Sequence, residues 1–162
     1  RIHLREYRLL DKMINPDIKQ INTTALAYMG DAVYEVYIRK HVMETGHVHV
    51  DRLHAMAVPY VKAEGQARAI KYLMDNLLNE EEKALTKRAR NHKIATKAKN
   101  ATPMDYKWAT AFEALLGYLH LKGDFERLDE VVGAAIKYIE ETMPVKNRGS
   151  KVQEFKRSLK NE

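Results

Sequence analysis

Apolar residues recur every three or four positions along almost the whole chain, and no segment alternates apolar with polar residues as a half-buried strand does. That period commits the chain to helices that each bury one stripe, so the expected class is all-α. The punctuation agrees. Asn15-Pro16 marks a break. Thr23 or Thr24 can cap a helix whose apolar face is Leu26, Met29, Val33, Val36 and Tyr37, with Gly46 as its stop. Asp51 can cap the next helix, and Pro59 either kinks it or begins a new turn, because proline lacks the N–H an interior turn needs. Tyr60 to Leu78 reads as helix with Ala63, Ala67, Ile70, Leu73 and Met74 inward. Asn79 and Glu82 have the spacing of a capping box, opening a short helix to about Arg90. Thr102, Pro103 and Asp105 supply a cap, a first-turn proline and an acid for a helix that ends at Lys122-Gly123. The last helix begins near Asp124, turns Phe125, Leu128, Val131, Val132, Ala135, Ile136 and Ile139 inward, and closes at Pro144.

A chain of 162 residues suits one compact domain. The breaks divide it into an N-terminal extension (1–16), a globular domain (17–145) and a tail (146–162) where six Lys/Arg outnumber two Glu. The net charge of +6 favours an anionic partner, nucleic acid first and an anionic membrane surface second. Without cysteine there are no disulfides, no thiolate metal sites and no cysteine nucleophile, which fits a reducing compartment. No apolar run approaches the ~20 residues needed to span a bilayer, and the first ten residues are too charged for a signal peptide. The expectation is a cytoplasmic protein with no membrane association.

Three features carry chemistry. Asp31 lies within ALAYMGDAVYEVYIR, in the middle of an otherwise apolar helix, beside a glycine that costs about 1 kcal/mol there relative to alanine. As packing alone, Gly30 admits a neighbouring helix and Asp31 faces water. As chemistry, the glycine admits a backbone or ligand and the acid presents a carboxylate to it. Glu113, in KWATAFEALLGYLHL, is a second acid among Phe112, Leu115 and Leu116; it is either a surface residue of an amphipathic helix or a desolvated carboxylate in need of a cation. Should the two meet, they make a candidate Mg²⁺ site, since Mg²⁺ often takes only one or two protein carboxylates and keeps several waters. The third feature is one-signed: from Lys83 to Met104 no acid occurs, while Lys87, Arg88, Arg90, Lys93, Lys97 and Lys99 all do, with Asn91 among them. Such a run is either a solvated loop or a surface for the phosphates and 2′-hydroxyls of an RNA duplex, which proteins read mainly by shape. Tyr28, Tyr34, Tyr37 and Trp108 read as core.

LAYMGDA at 26–32 resembles the signature helix of the ribonuclease III family, and FEALLGYLHL at 112–121 resembles that family's second acidic helix. Between them, RARN at 88–91 with the lysines that follow resembles the RNA-facing loop of the family's short branch, Mini-ribonuclease III. The match spans roughly Gln20 to Tyr138. It implies the all-helical endonuclease fold for residues 17–145, a homodimer with Tyr28 and Met29 at the contact, and catalytic, metal-binding roles for Asp31 and Glu113 with Mg²⁺ or Mn²⁺. It further implies cleavage of double-stranded RNA, in this branch during maturation of large-subunit (23S) ribosomal RNA precursors. Lys87, Arg88, Arg90, Asn91, Lys93, Lys97 and Lys99 become the expected RNA contacts. After Pro144 too few residues remain for a double-stranded RNA-binding domain, so the basic loop is expected to supply the grip.

Two departures separate this chain from typical members. Ala27 stands where they carry Glu, and Thr110 where they carry Asp. The short branch departs in the same ways. The lost acids favour a rival reading, a non-catalytic RNA-binding scaffold; the retained Asp31 and Glu113 favour the enzyme. A helical protein–protein module would leave both interior acids without a reason.

Overall fold

The computed structural model describes Ile18, residues 21–93 and residues 101–144. The N-terminal extension, the basic tail, Lys97 and Lys99 lie outside them. Six helices and no strand form among the described residues: α1 (Thr23–Met43), α2 (Val50–Val61), α3 (Ala63–Asn76), α4 (Glu80–Asn91), α5 (Pro103–Lys122) and α6 (Phe125–Thr142). The all-α class is as expected, and none of these helices is long and apolar enough to cross a membrane.

α5 is the axis of the packing. It lies against α1, α3, α4 and α6, and Ala109, Ala111, Phe112 and Ala114–Leu119 are all buried. That explains a helix whose apolar residues run nearly all round it rather than along one stripe. Its ends are as the sequence foretold: the Thr102 hydroxyl accepts from Asp105 N–H at 3.1 Å, and Gly123 closes the helix at φ 80°, a left-handed conformation that glycine adopts without a Cβ penalty. The capping box of α4 is complete, with Glu82 N–H donating to Asn79 Oδ1 at 2.9 Å and Asn79 N–H donating to Glu82 Oε2 at 3.0 Å. Asp124 caps α6 through Arg127 N–H.

Other boundaries shift. Asn22, not a threonine, caps α1 by accepting from Thr24 N–H at 2.8 Å. His49 occupies the cap of α2 without a side-chain bond, and Asp51 sits in the first turn, where its charge still favours the helix N-terminus. Pro59 lies within α2, which ends two residues later. Lys62 is extended, so the single helix expected from Tyr60 is broken there. The inward stripes also differ. α1 buries Leu26, Gly30, Val33, Tyr34, Ile38 and Val42 while Val36 faces out, and on α6 Phe125 is exposed. Tyr34 is the one tyrosine of its trio that is fully core, edge-on to Phe112 with centroids 5.0 Å apart. Tyr28 is 84% exposed, and Tyr37 and Trp108 are half-buried.

Candidate active site

The site is built by two glycines. A Cβ on Gly30 would fall 1.6 Å from the carbonyl oxygen of Glu113, and one on Gly117 would fall 1.9 Å from that of Leu26. α1 and α5 therefore cross backbone to backbone, closer than any side chain allows. The residue after Gly30 is Asp31, and the carbonyl that Gly30 touches belongs to Glu113, so the crossing itself brings the two acids together. Gly30 is thus both things its setting allowed, a packing glycine and the device that pairs two carboxylates.

The electrostatics report their proximity. Burial, then the Asp31 charge, push the Glu113 carboxyl up to about 8, with Glu35 adding to the rise and a hydrogen bond from Gln66 opposing it. Asp31, on the exposed side of the crossing, is raised as well, by partial burial and then by Glu35. Among the described residues neither Asp31 nor Glu113 pairs with a Lys or Arg. Glu35 does, with Arg39 at 3.1 Å. Glu64 is turned to Lys62 at 3.3 Å and Arg68 at 3.1 Å and is not among the charges felt by Asp31 or Glu113. Glu35 thus acts on both acids, whereas Glu64 is engaged by two cations of its own.

The residues at the departing positions take no part. Ala27 is buried in the core, and the Thr110 hydroxyl donates to the Tyr106 carbonyl at 2.9 Å. Among the described residues no group of three or more His, Asp or Glu side chains is arranged to hold a metal ion. The donor set is two carboxylates plus the buried amide of Gln66, whose Oε1 has no hydrogen-bond partner. All are hard oxygens. The set fits a divalent cation that keeps most of its water: the ion relieves the Asp31–Glu113 repulsion, and its waters can donate to oxygens such as Gln66 Oε1.

The basic segment starts on α4. Lys87, Arg88, Asn91 and Lys93 are exposed. Arg90 is half-buried because its guanidinium lies over the Trp108 ring at 4.7 Å, and Lys71 of α3 approaches the same ring at 5.8 Å. Trp108 packs on the edge of the core as expected and is in addition a platform for two cations. It lies five residues before Glu113, about 7.5 Å along α5. Sequence reasoning missed Gln66, Lys71 and Trp108. The first two lie on α3, far from both acidic helices in sequence, and only packing puts them here; the lone tryptophan beside a basic run was the one available signal.

An all-helical fold that pairs a half-buried acid with an exposed one at a helix crossing, next to a basic surface, is the arrangement of a nuclease that handles its substrate's phosphates. The ribonuclease III domain model matches residues 24–124, and the chain belongs to the ribonuclease III family of endoribonucleases. Its relatives include Mini-ribonuclease 3 of Enterococcus faecalis, 46% identical over 78% of this chain and 96% of that protein, and Mini-ribonuclease 3 of Clostridium tetani, 41% identical over 91% and 99%. A crystal structure of a Fusobacterium nucleatum protein, 33% identical, superposes with a TM-score of 0.68 over 76% of this chain and 98% of that one.

Proposed function

We propose that this protein hydrolyses phosphodiester bonds of double-stranded RNA with Mg²⁺, Mn²⁺ being able to substitute, and that its substrate is the precursor of large-subunit (23S) ribosomal RNA. The observation that carries the reading is the pair Asp31–Glu113, held together by the Gly30–Gly117 crossing with no Lys or Arg among the described residues to neutralise it. A partly desolvated carboxylate facing a second acid costs stability, and a metal-binding role explains why it is kept. Asp31 and Glu113 would hold the ion, which when bound activates water and stabilises charge on the phosphoryl group and leaving oxygen. The protein's own residues do the rest. Lys87, Arg88, Arg90, Asn91, Lys93, Lys97 and Lys99 hold phosphates and 2′-hydroxyls, and Trp108 fixes Arg90 among them. The expected products carry 5′-phosphate and 3′-hydroxyl ends, as the family resemblance implies, and the ribosomal target comes from the role implied for the short branch. Residues 17–145 form the catalytic domain in this reading, and the lack of cysteine suits the cytoplasm.

A homodimer is part of the proposal. Tyr28, Ala32 and Val36 make an outward apolar stripe on α1 at helical spacing; Tyr28 and Val36 are 84% and 68% exposed. Ala32 and Val36 line a groove of about 490 Å³ that also includes Phe125 and Leu128. Met29 packs partly against the core and leaves Tyr28 as the leading contact. Exposed apolar surface of this kind marks a partner site, and a second copy lengthens the groove available to a duplex.

The buried Ala27 and the self-satisfied Thr110 favour the alternative of an RNA-binding scaffold. One assay separates the readings. Purified protein is incubated with a long RNA duplex in Mg²⁺, in Mn²⁺ and in EDTA, beside a binding measurement. Metal-dependent cleavage supports the enzyme; tight binding with no cleavage in either metal overturns it in favour of the scaffold.

A further inference from the structure

Among the described residues, Gln66 is a fully buried side chain whose hydrogen bonding is incomplete. It lies in the first turn of α3 and is 2% exposed. Its neighbour Gly65 lets that turn close on the end of α2, where an added Cβ would meet the Pro59 carbonyl oxygen at 2.3 Å. Gln66 Nε2 donates to the Val61 carbonyl at 2.9 Å. Val61 is the last residue of α2, so this bond satisfies one of the carbonyls that a helix end leaves without an internal partner. The opposite amide orientation would set Oε1 against that carbonyl, two acceptors face to face, so Val61 dictates which end of the amide is which.

Packing accounts for that one bond and for nothing else Gln66 does. The amide also stands close enough to the Glu113 carboxyl to oppose the rise that burial causes there, and its Oε1 is buried with no hydrogen-bond partner. A methionine would fill the same space without burying an unsatisfied acceptor, which is costly. Nε2 has a second N–H beyond the one given to Val61, and the orphan oxygen belongs to the same planar amide. An amide so placed has a donor for a metal-binding carboxylate and an acceptor for a water on the metal.

We propose that Gln66 is a positioning residue for the metal site: it orients Glu113 through its N–H and receives a metal-bound water at Oε1, supplying from α3 part of the order that the absent acids at 27 and 110 do not. The inference rests on Asp31 and Glu113 being the metal-binding pair. Residues that orient metal ligands in this way typically change metal affinity by about 10- to 100-fold when removed.

The test uses the full chain without RNA. Mn²⁺ binding is measured by the loss of the free-ion electron paramagnetic resonance signal for the parent, Gln66→Met and Glu113→Gln. Gln66→Met should weaken Mn²⁺ binding about 10- to 100-fold. Its duplex affinity in EDTA should stay at the parent level, and its cleavage rate should recover as metal is raised. Gln66→Met binding Mn²⁺ within twofold of the parent, while Glu113→Gln binds none, overturns the inference and leaves the proposed function standing. Glu113→Gln binding Mn²⁺ as the parent does overturns the proposed function beneath it. Should Gln66→Met fail to fold for want of the Val61 bond, the parent decides the matter. The side-chain amide resonances of Gln66, followed by ¹⁵N NMR, should shift as Mg²⁺ is added and stay still in Glu113→Gln; amide resonances that do not move at saturating Mg²⁺ overturn the inference.

Discussion

Glu82 and Glu113 are both drawn out of water, and the fold treats them in opposite ways. Glu82 is 3% exposed and fully answered. Arg127 reaches it with two N–H groups, each at 2.9 Å, and the Asn79 backbone N–H adds a third donor. Arg127 in turn donates to the Leu77 carbonyl and pairs with Glu130, and its guanidinium is held charged above its ordinary range chiefly by Glu82. Glu113 has Asp31 and Glu35 as neighbouring charges, all of its own sign, and one amide in its favour. The first arrangement ties α4 to α6. The second keeps an acid without a cation, its proton held near neutral pH, at a crossing that two glycines hold rigid. An acid buried for structure comes with its cation; an acid buried for chemistry waits for one.

The sharpest way to break this contrast is to remove charge from the second site. Asp31→Asn and Glu113→Gln should each lower cleavage of a long RNA duplex in Mg²⁺ by at least ~10³-fold, about 4 kcal/mol of barrier. Folding and duplex binding should persist, since binding belongs to the basic surface. Equal cutting by Asp31→Asn would put the chemistry elsewhere.

Removing the cation from the first site should do the reverse. Arg127→Met leaves Glu82 buried without a partner and should cost about 3–5 kcal/mol in urea unfolding, while the Mn²⁺ affinity of the folded protein stays at the parent level. A loss below ~1 kcal/mol would mean that Glu82 does not depend on its arginine.

The crossing can be tested directly. Gly30→Ala forces a methyl into the Glu113 carbonyl and should cost about 1–3 kcal/mol or more, with cleavage falling further than stability because Asp31 and Glu113 are pushed apart. Gly133→Ala is the control. Nothing lies within 4 Å of a Cβ there, so in the middle of α6 it should be neutral or stabilise by up to ~1 kcal/mol.

Replacing Arg88, Arg90, Lys93 and Lys97 together should flatten the salt dependence of duplex binding by about one log–log unit for each phosphate no longer held. A melt should move little beyond the ~0.5–1 kcal/mol of the Arg90–Trp108 contact. An unchanged salt slope would remove the basic segment from the interface.

The smallest effect is one of pH. In metal-free protein the Glu113 carboxyl is raised from 4.5 to about 8, so between those values the folded state holds a proton that the unfolded chain has released. Stability from this group is complete below pH ~4.5 and is lost as pH rises through about 8. Glu113→Gln lacks that slope. Its melting temperature should exceed the parent's at pH 8.5 and match it near pH 4, where the parent's carboxyl is protonated in both states. Saturating Mg²⁺ should erase the parent's deficit.

Much of this molecule was legible in one dimension. Helix type, the Asn79–Glu82 capping box, the Thr102–Pro103 start and the Gly123 stop are local chemistry, decided by backbone donors, φ angles and side chains within four residues of one another. So was the suspicion attached to Asp31 and Glu113, because an acid in an apolar period is anomalous wherever the helix lies. The misread ends of α2 and the cap at Asn22 were close contests between neighbouring residues that tertiary packing resolved. Which apolar residues face out was not local either: Val36 and Phe125 match the period of their helices as well as residues that are buried, and only the placement of the neighbouring helices decides. The same holds for the site. That Gly30 meets Glu113, that Gln66 comes under the same carboxylate from α3, and that Lys71 and Arg90 share the face of Trp108 are contacts between segments 18 to 83 residues apart. A sequence sets the period and punctuation of each helix through short-range sterics and hydrogen bonds, but which faces meet depends on how all six helices exclude water together.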